Sequence, residues 1–127
     1  MLVDGLGLIL SSIVLPANVQ DRQGALHLLS GKKHFLPKLT QIYADGGYEG
    51  REFAKEVKQA IGAQVTVIKR LSCQGFVPLP KRWIVERTFA WLNKCRRLSK
   101  DYELKVQTSE SLIYVAMTRI MLRRLIL

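Results

Sequence analysis

Acidic residues are scarce in this chain: 10 Asp and Glu stand against 20 Lys and Arg in 127 residues, giving a net charge of +10 and a pI near 10.0. Such a balance points to an acidic partner, with nucleic acid first and an anionic membrane surface second, and mere solubility as the third reading. Cysteine is scarcer still. Cys73 and Cys95 fit neither the spacing of a zinc site nor a disulfide framework, and read as reduced thiols of a cytoplasmic protein. No apolar run approaches the ~20 residues of a membrane-spanning helix. The apolar opening from Met1 to Leu15 has no basic n-region and carries Asp4, so it is not expected to be a signal peptide. Internal repeats, low-complexity tracts and flexible linkers are also lacking. The length suits one small domain with a real core.

The charge is uneven along the chain. Residues 1–68 hold 7 cations against 6 acids and residues 69–127 hold 13 against 4, so the second half carries +9 of the +10. A basic face on the C-terminal helices follows.

Read in order, the chain predicts an α/β fold. Leu2 to Leu10 looks like a hairpin around Gly5-Leu6-Gly7, its second strand running to about Leu15 before Pro16. Asn18 or Asp21 is placed to cap a short helix near Gly24 to Ser30. Lys32-Lys33-His34 and Pro37 form a basic loop. Gln41 to Ala44 is a brief strand, and Asp45 to Gly50 is the turn at its end. Arg51 to Ile61 is an amphipathic helix with Phe53, Val57 and Ile61 on one side, closed by Gly62. Gln64 to Ile68 reads as a buried strand, 69–80 as a loop, and Thr108 as the cap of a last helix. Leu112, Ile113, Ala116, Met117, Ile120 and Met121 stripe that helix. The alternation implies one mixed sheet with right-handed crossovers.

Two acids stand out. Asp45 ends a strand and precedes two glycines; ligands bind beyond the carboxyl ends of strands, and glycine lets a metal ion or phosphate approach the backbone. The competing reading is turn chemistry, which favours Asp for its backbone hydrogen bonds. Glu86 lies in Lys81 to Tyr102. If that stretch is helical, Glu86 shares a face with Arg82, Asn93, Arg97 and Lys100, opposite an apolar arc of Ile84, Thr88, Trp91, Leu92, Cys95 and Leu98. Its competing reading is a solvated i−4 ion pair with Arg82, worth about 0.3–0.5 kcal/mol. His27 and His34 make no metal pattern, and His34 sits in a cationic loop suited to screening phosphate. Tyr48, Trp83 and Trp91 are candidates to stack on bases, with core packing the favoured reading of Trp91. The Arg96-Arg97 and Arg123-Arg124 pairs suit phosphate contacts.

Five segments carry a resemblance: V-D-G-L-G-L-I-L, A-N-V-Q-D-R-Q-G-A, Y-A-D-G-G-Y-E-G, P-K-R-W-I-V-E-R-T-F-A-W-L-N-K-C-R-R-L-S-K-D-Y-E, and the tail T-S-E-S-L-I-Y-V-A-M-T-R-I-M-L-R-R-L. Together they resemble the C-terminal half of a DDE-type bacterial insertion-sequence transposase of the IS-five kind, over essentially the whole chain. The resemblance implies a partial ribonuclease-H-like fold: a β-hairpin, then α-β-α-β, then C-terminal helices. It also implies two Asp and one Glu around two Mg²⁺ (or Mn²⁺) ions. The Asp-x-Gly-Tyr motif puts the second Asp on Asp45, and the Arg-x3-Glu signature, Arg82 to Glu86, puts the Glu on Glu86. DNA contacts are then expected from Arg82, Arg87, Lys94, Arg96, Arg97 and Lys100.

The chain departs from the family pattern in places. Asn93 stands where the signature ends in Lys, leaving its auxiliary role between Lys94 and Arg97; Leu79 stands where a Tyr is usual. The family's first catalytic Asp lies upstream of the hairpin, so residues 1–127 read as a truncated catalytic domain without its first strand or the N-terminal DNA-binding part. Asp4 is a candidate substitute, with a hairpin-turn role as its alternative. Three readings follow: a cytoplasmic transposase fragment acting on element ends and target DNA, a non-catalytic basic DNA-binding module, or an inactive remnant. The assemblies expected are a homodimer or association with a full-length transposase, and the cut-short strand predicts an exposed sheet edge prone to association.

Overall fold

The computed structural model describes residues 1–69 and 81–127. Most of the loop expected over 69–80, with Cys73 and Leu79, lies outside them. Two compact units are present, one made of Met1–Pro16 with Ile84–Leu127 and the other of Ala17–Trp83.

In the second unit, helix α1 (Asp21–Leu29) precedes strand β3 (Gln41–Ala44), helix α2 (Arg51–Ile61) and strand β4 (Gln64–Val67). Helix α2 is where the sequence pattern is plainest. Phe53, Val57 and Ile61 recur every four residues and all three are buried. Gly62 adopts the left-handed conformation (φ 79°), its N–H bonding to the Lys58 carbonyl, a closure open to glycine at little cost. Strands β3 and β4 pair in parallel from Gln41↔Gln64 to Ala44↔Val67. The intervening helix α2 supplies the crossover that a parallel pair requires, and it packs on β4 and on α1.

Several details differ from expectation. Helix α1 begins at Asp21, so Asp21 is not its cap; Gln20 holds the N-cap position and makes no side-chain cap bond. Asp21 instead sits in the first turn, where the helix dipole favours a carboxylate. Strand β4 is only half-buried, with Gln64 and Thr66 exposed in alternation with Val65 and Val67, because a single two-stranded ribbon has one face covered.

In the first unit, strands β1 (Leu2–Val3) and β2 (Ile9–Ser11) form the expected antiparallel hairpin. Strand β2 stops at Ser11, short of Leu15. Ser12 N–H donates to the Tyr114 hydroxyl (2.8 Å) and Val14 N–H to Glu110 Oε1 (2.9 Å), so side chains of helix α4 (Val106–Ile126), not a neighbouring strand, satisfy the backbone beyond β2. Among the described residues the two strand pairs form two separate two-stranded sheets in place of one mixed sheet.

Helix α3 runs from Arg82 to Asn93, after which a 3₁₀ turn occupies Arg96–Leu98. Cys95 is extended between them (φ −83°, ψ 114°), so the helix does not continue to Leu98. Arg97 and Lys100 therefore lie beyond the helix that carries Glu86, and the shared face expected for them is not formed by one helix. The apolar arc itself survives: Leu92 joins Ile9, Ala116 and Met117 in the buried core, with Cys95 and Leu98 packed against it. Helix α4 starts after Lys105, two residues before the expected cap; Thr108 N–H already bonds the Lys105 carbonyl. Five of the six residues of its expected stripe join the core, Ala116 and Met117 buried and Ile113, Ile120 and Met121 against them, while Leu112 is not among them.

Candidate active site

Asp45 stands one residue past the Ala44↔Val67 pair that ends the parallel ladder. Its extended backbone (φ −80°, ψ 178°) opens a 3₁₀ turn over Gly46–Tyr48, for which it is the N-cap: Oδ1 accepts from Gly47 N–H at 3.0 Å. The turn reading of the Asp-Gly-Gly segment is thus realised. One carboxylate oxygen does turn chemistry, and the residue stays exposed at the carboxyl end of a strand. A Cβ on Gly46 would meet nothing within 4 Å beyond its chain neighbours, whereas one on Gly47 would stand 3.2 Å from Asp45 Oδ1.

The surroundings of Asp45 are charged. Arg22 Nε donates to the Gly47 carbonyl at 3.0 Å, a bond that nothing local in the sequence announces because its partners lie 25 residues apart. Glu49 pairs with Lys69. Lys81 Nζ lies 3.5 Å from the centroid of Tyr43, the residue two before Asp45 on the same strand face. Tyr48 packs its ring on Phe53 at 5.5 Å. Burial, followed by the carboxylates of Asp21 and Asp45, pushes the Tyr48 phenol above its ordinary value of 10.0, since each disfavours a phenolate.

Glu86 is exposed on α3, in the first unit. The two residues after it anchor this part of the helix to the hairpin. Arg87 Nη2 donates to the Leu6 carbonyl at 2.7 Å, and its guanidinium lies 4.8 Å from the Trp91 ring. Thr88, fully buried, donates to the Gly7 carbonyl at 2.7 Å while lying 3.0 Å from the Ile84 carbonyl. Arg124 lies 4.4 Å from Trp91. Arg87, expected to meet DNA, is thus engaged inside its own unit.

The other expected DNA contacts, Arg82, Lys94, Arg96, Arg97 and Lys100, are all exposed. Arg97 pairs with Glu103. Asp4, the candidate for the missing first carboxylate, accepts from both Leu6 N–H (2.9 Å) and Leu8 N–H (2.8 Å) through Oδ1, which is hairpin-turn chemistry.

Asp45 and Glu86, in different units, are both exposed carboxylates, the donor type that a hard divalent cation takes. Among the described residues no group of three or more His, Cys, Asp or Glu side chains is gathered as a metal centre. Nor is any described helix long and apolar enough to cross a membrane.

Residues 42–123 match the family described as "Transposase DDE domain", a span holding both Asp45 and Glu86. Among curated proteins, the chain is 31% identical over 110 residues to the "Putative transposase for insertion sequence element IS402" of Burkholderia cepacia, covering 81% of this chain and 52% of that protein. The chain thus spans about half the length of that relative. No solved structure matches it.

Proposed function

The chain belongs to the transposase DDE domain family, and from that membership we propose that it is part of an insertion-sequence transposase of the IS-five kind with a ribonuclease-H-like catalytic fold. It acts on DNA, at element ends and target, in the cytoplasm, as a homodimer or beside a full-length transposase. Asp45 and Glu86 are two of the three metal-holding carboxylates of that transposase site, the first Asp being supplied from outside these residues. The observation that supports this most is Asp45 itself, an exposed carboxylate one residue past a parallel ladder.

Asp45 and Glu86 would each hold Mg²⁺ or Mn²⁺ through oxygen, and the metal would supply activation of water, then of a DNA 3′-hydroxyl, for in-line attack on a phosphodiester. The remaining work falls to the chain's own cations. Arg82, Lys94, Arg96, Arg97 and Lys100 bind phosphates and set the register of the duplex without reading sequence. For the auxiliary basic role, the pairing of Arg97 with Glu103 favours Lys94. Arg87 acts indirectly, by fixing α3 to the hairpin next to Glu86.

The occupation of Asp4 by two turn amides favours a second reading, in which these 127 residues bind DNA without cutting it. One experiment separates the two. Binding to a duplex of about 30 base pairs is followed by fluorescence anisotropy from 50 to 200 mM salt, with strand cleavage scored in Mn²⁺. Engagement of the five exposed cations gives a log–log salt slope of about −4 to −5. Glu86→Gln should leave that slope unchanged and abolish any cleavage. Absence of binding at 50 mM salt refutes both readings, and cleavage that survives Glu86→Gln refutes the assignment of Glu86.

A further inference from the structure

We propose that Arg22 is a positioning residue for the Asp45 carboxylate, acting on it through the two ends of Gly47. The inference rests on the metal-holding role proposed for Asp45. Two hydrogen bonds meet on this one glycine: its carbonyl accepts from Arg22 Nε at 3.0 Å, and its N–H donates to Asp45 Oδ1 at 3.0 Å. Gly47 has no side chain to restrict it, and glycine is the residue type with the most backbone freedom to lose. Bonds on both sides remove that freedom. With Oδ1 held by an amide of fixed orientation, the planar geometry of the carboxylate narrows the directions open to Oδ2.

The other end of the latch is stiff. Arg22 lies in the first turn of α1, a regular helix whose Leu28 and Leu29 are buried. Supporting groups on regular elements hold a ligand more tightly than loop residues can. The guanidinium also reaches along the turn: Nη1 lies 3.7 Å from where a Cβ on Gly50 would stand. At the far side of the turn, Tyr48 rests on Phe53 of α2. The Asp45 turn is thus held by α1 through Arg22 and by α2 through Tyr48.

Electrostatics gives this idea a distinguishing sign. A guanidinium near a metal site repels the incoming cation, so removing it should tighten metal binding if Arg22 acts only as a charge. If Arg22 positions Asp45, its removal should weaken binding. Residues that orient metal ligands typically contribute 10- to 100-fold to affinity, and an exposed latch belongs at the lower end, about 10-fold.

The test uses the 127-residue chain. Mn²⁺ is the probe, its free aqua-ion signal followed by electron paramagnetic resonance, and exchange of the Gly47 amide is measured by NMR. Asp45→Asn should lose Mn²⁺ binding. Arg22→Ala should weaken it by about 10-fold and speed Gly47 exchange. Arg22→Lys, which keeps one donor, should recover most of the affinity, whereas Arg22→Gln should not. If Arg22→Ala binds Mn²⁺ as tightly as the parent or more tightly while Asp45→Asn is defective, the positioning role is overturned and Asp45 keeps its own. Mn²⁺ binding that Asp45→Asn leaves unchanged overturns the reading of Asp45, and this inference with it. Should Arg22→Ala unfold the chain, Arg22→Lys and Arg22→Gln decide the matter: tighter binding by Lys supports positioning, and equal binding by the two overturns it.

Discussion

Gly7→Ala tests the reasoning about the hairpin and α3 most directly, because two separate penalties meet at that position. Gly7 has φ +80°, a conformation that costs an L-residue roughly 1–2 kcal/mol. A Cβ there would also stand 2.9 Å from Thr88 Oγ1, 3.2 Å from Trp91 Cζ3 and 3.3 Å from Arg87 Nη2. Thr88 is fully buried and its hydroxyl is bonded to the Gly7 carbonyl itself, so it has little room to yield. Crowding of that kind costs about 1–3 kcal/mol. The two terms sum to about 2–5 kcal/mol.

Two other glycines separate the terms. Gly62 has φ +79° with nothing near its would-be Cβ, so Gly62→Ala should cost only the conformational part, about 1–2 kcal/mol. Gly5 has neither a positive φ nor a neighbour within 4 Å, and Gly5→Ala should fall within about 0.5 kcal/mol of the parent. Urea denaturation followed by circular dichroism gives all three values. If Gly7→Ala is no more destabilising than Gly62→Ala, the close approach of the hairpin to Thr88 and Trp91 is refuted.

Thr88→Val keeps the shape and removes the hydroxyl, leaving the Gly7 carbonyl without that partner; a loss of about 1–3 kcal/mol is expected in the same denaturation series. Tyr48 gives a pH dependence. Its phenol is raised above 10.0 in the folded chain, so the folded state holds the proton more tightly than the unfolded one. The associated stability is fully present below pH 10 and is lost as pH rises through the elevated value. Thermal midpoints of the parent should therefore fall more steeply above pH 10 than those of Tyr48→Phe; parallel curves would exclude the effect.

What the sequence made legible was local. The Phe53, Val57, Ile61 repeat and Gly62 lie within ten residues of one another, and α2 has the expected ends. Strand pairing is not local. Alternation marks the strands, yet it cannot say whether a hairpin and a parallel pair join one sheet, and they form two. The end of α3 is hidden for a subtler reason. Cys95 and Leu98 do face the core, as a continued helix would require, but a three-residue step serves a 3₁₀ turn equally well. The apolar pattern is right and the backbone beneath it different, which moves Arg97 and Lys100 off the Glu86 helix.

The same distinction governs the candidate site. Asp45 is visible because strand end, turn and glycines are consecutive residues. Its restraint is not, because the Arg22 bond crosses 25 residues. Thr88 reads as one more member of an apolar arc, and its burial bears that out; its bond to Gly7, 81 residues away, has no trace in helical periodicity. In both cases the acid stands in a short motif, while what holds that motif comes from a distant segment. The A-N-V-Q-D-R-Q-G-A and V-D-G-L-G-L-I-L segments contain those distant partners, Arg22 and Gly7. Each of the two makes its contact on a segment that carries an acid, Arg22 on the Asp45 turn and Gly7 on the Glu86 helix.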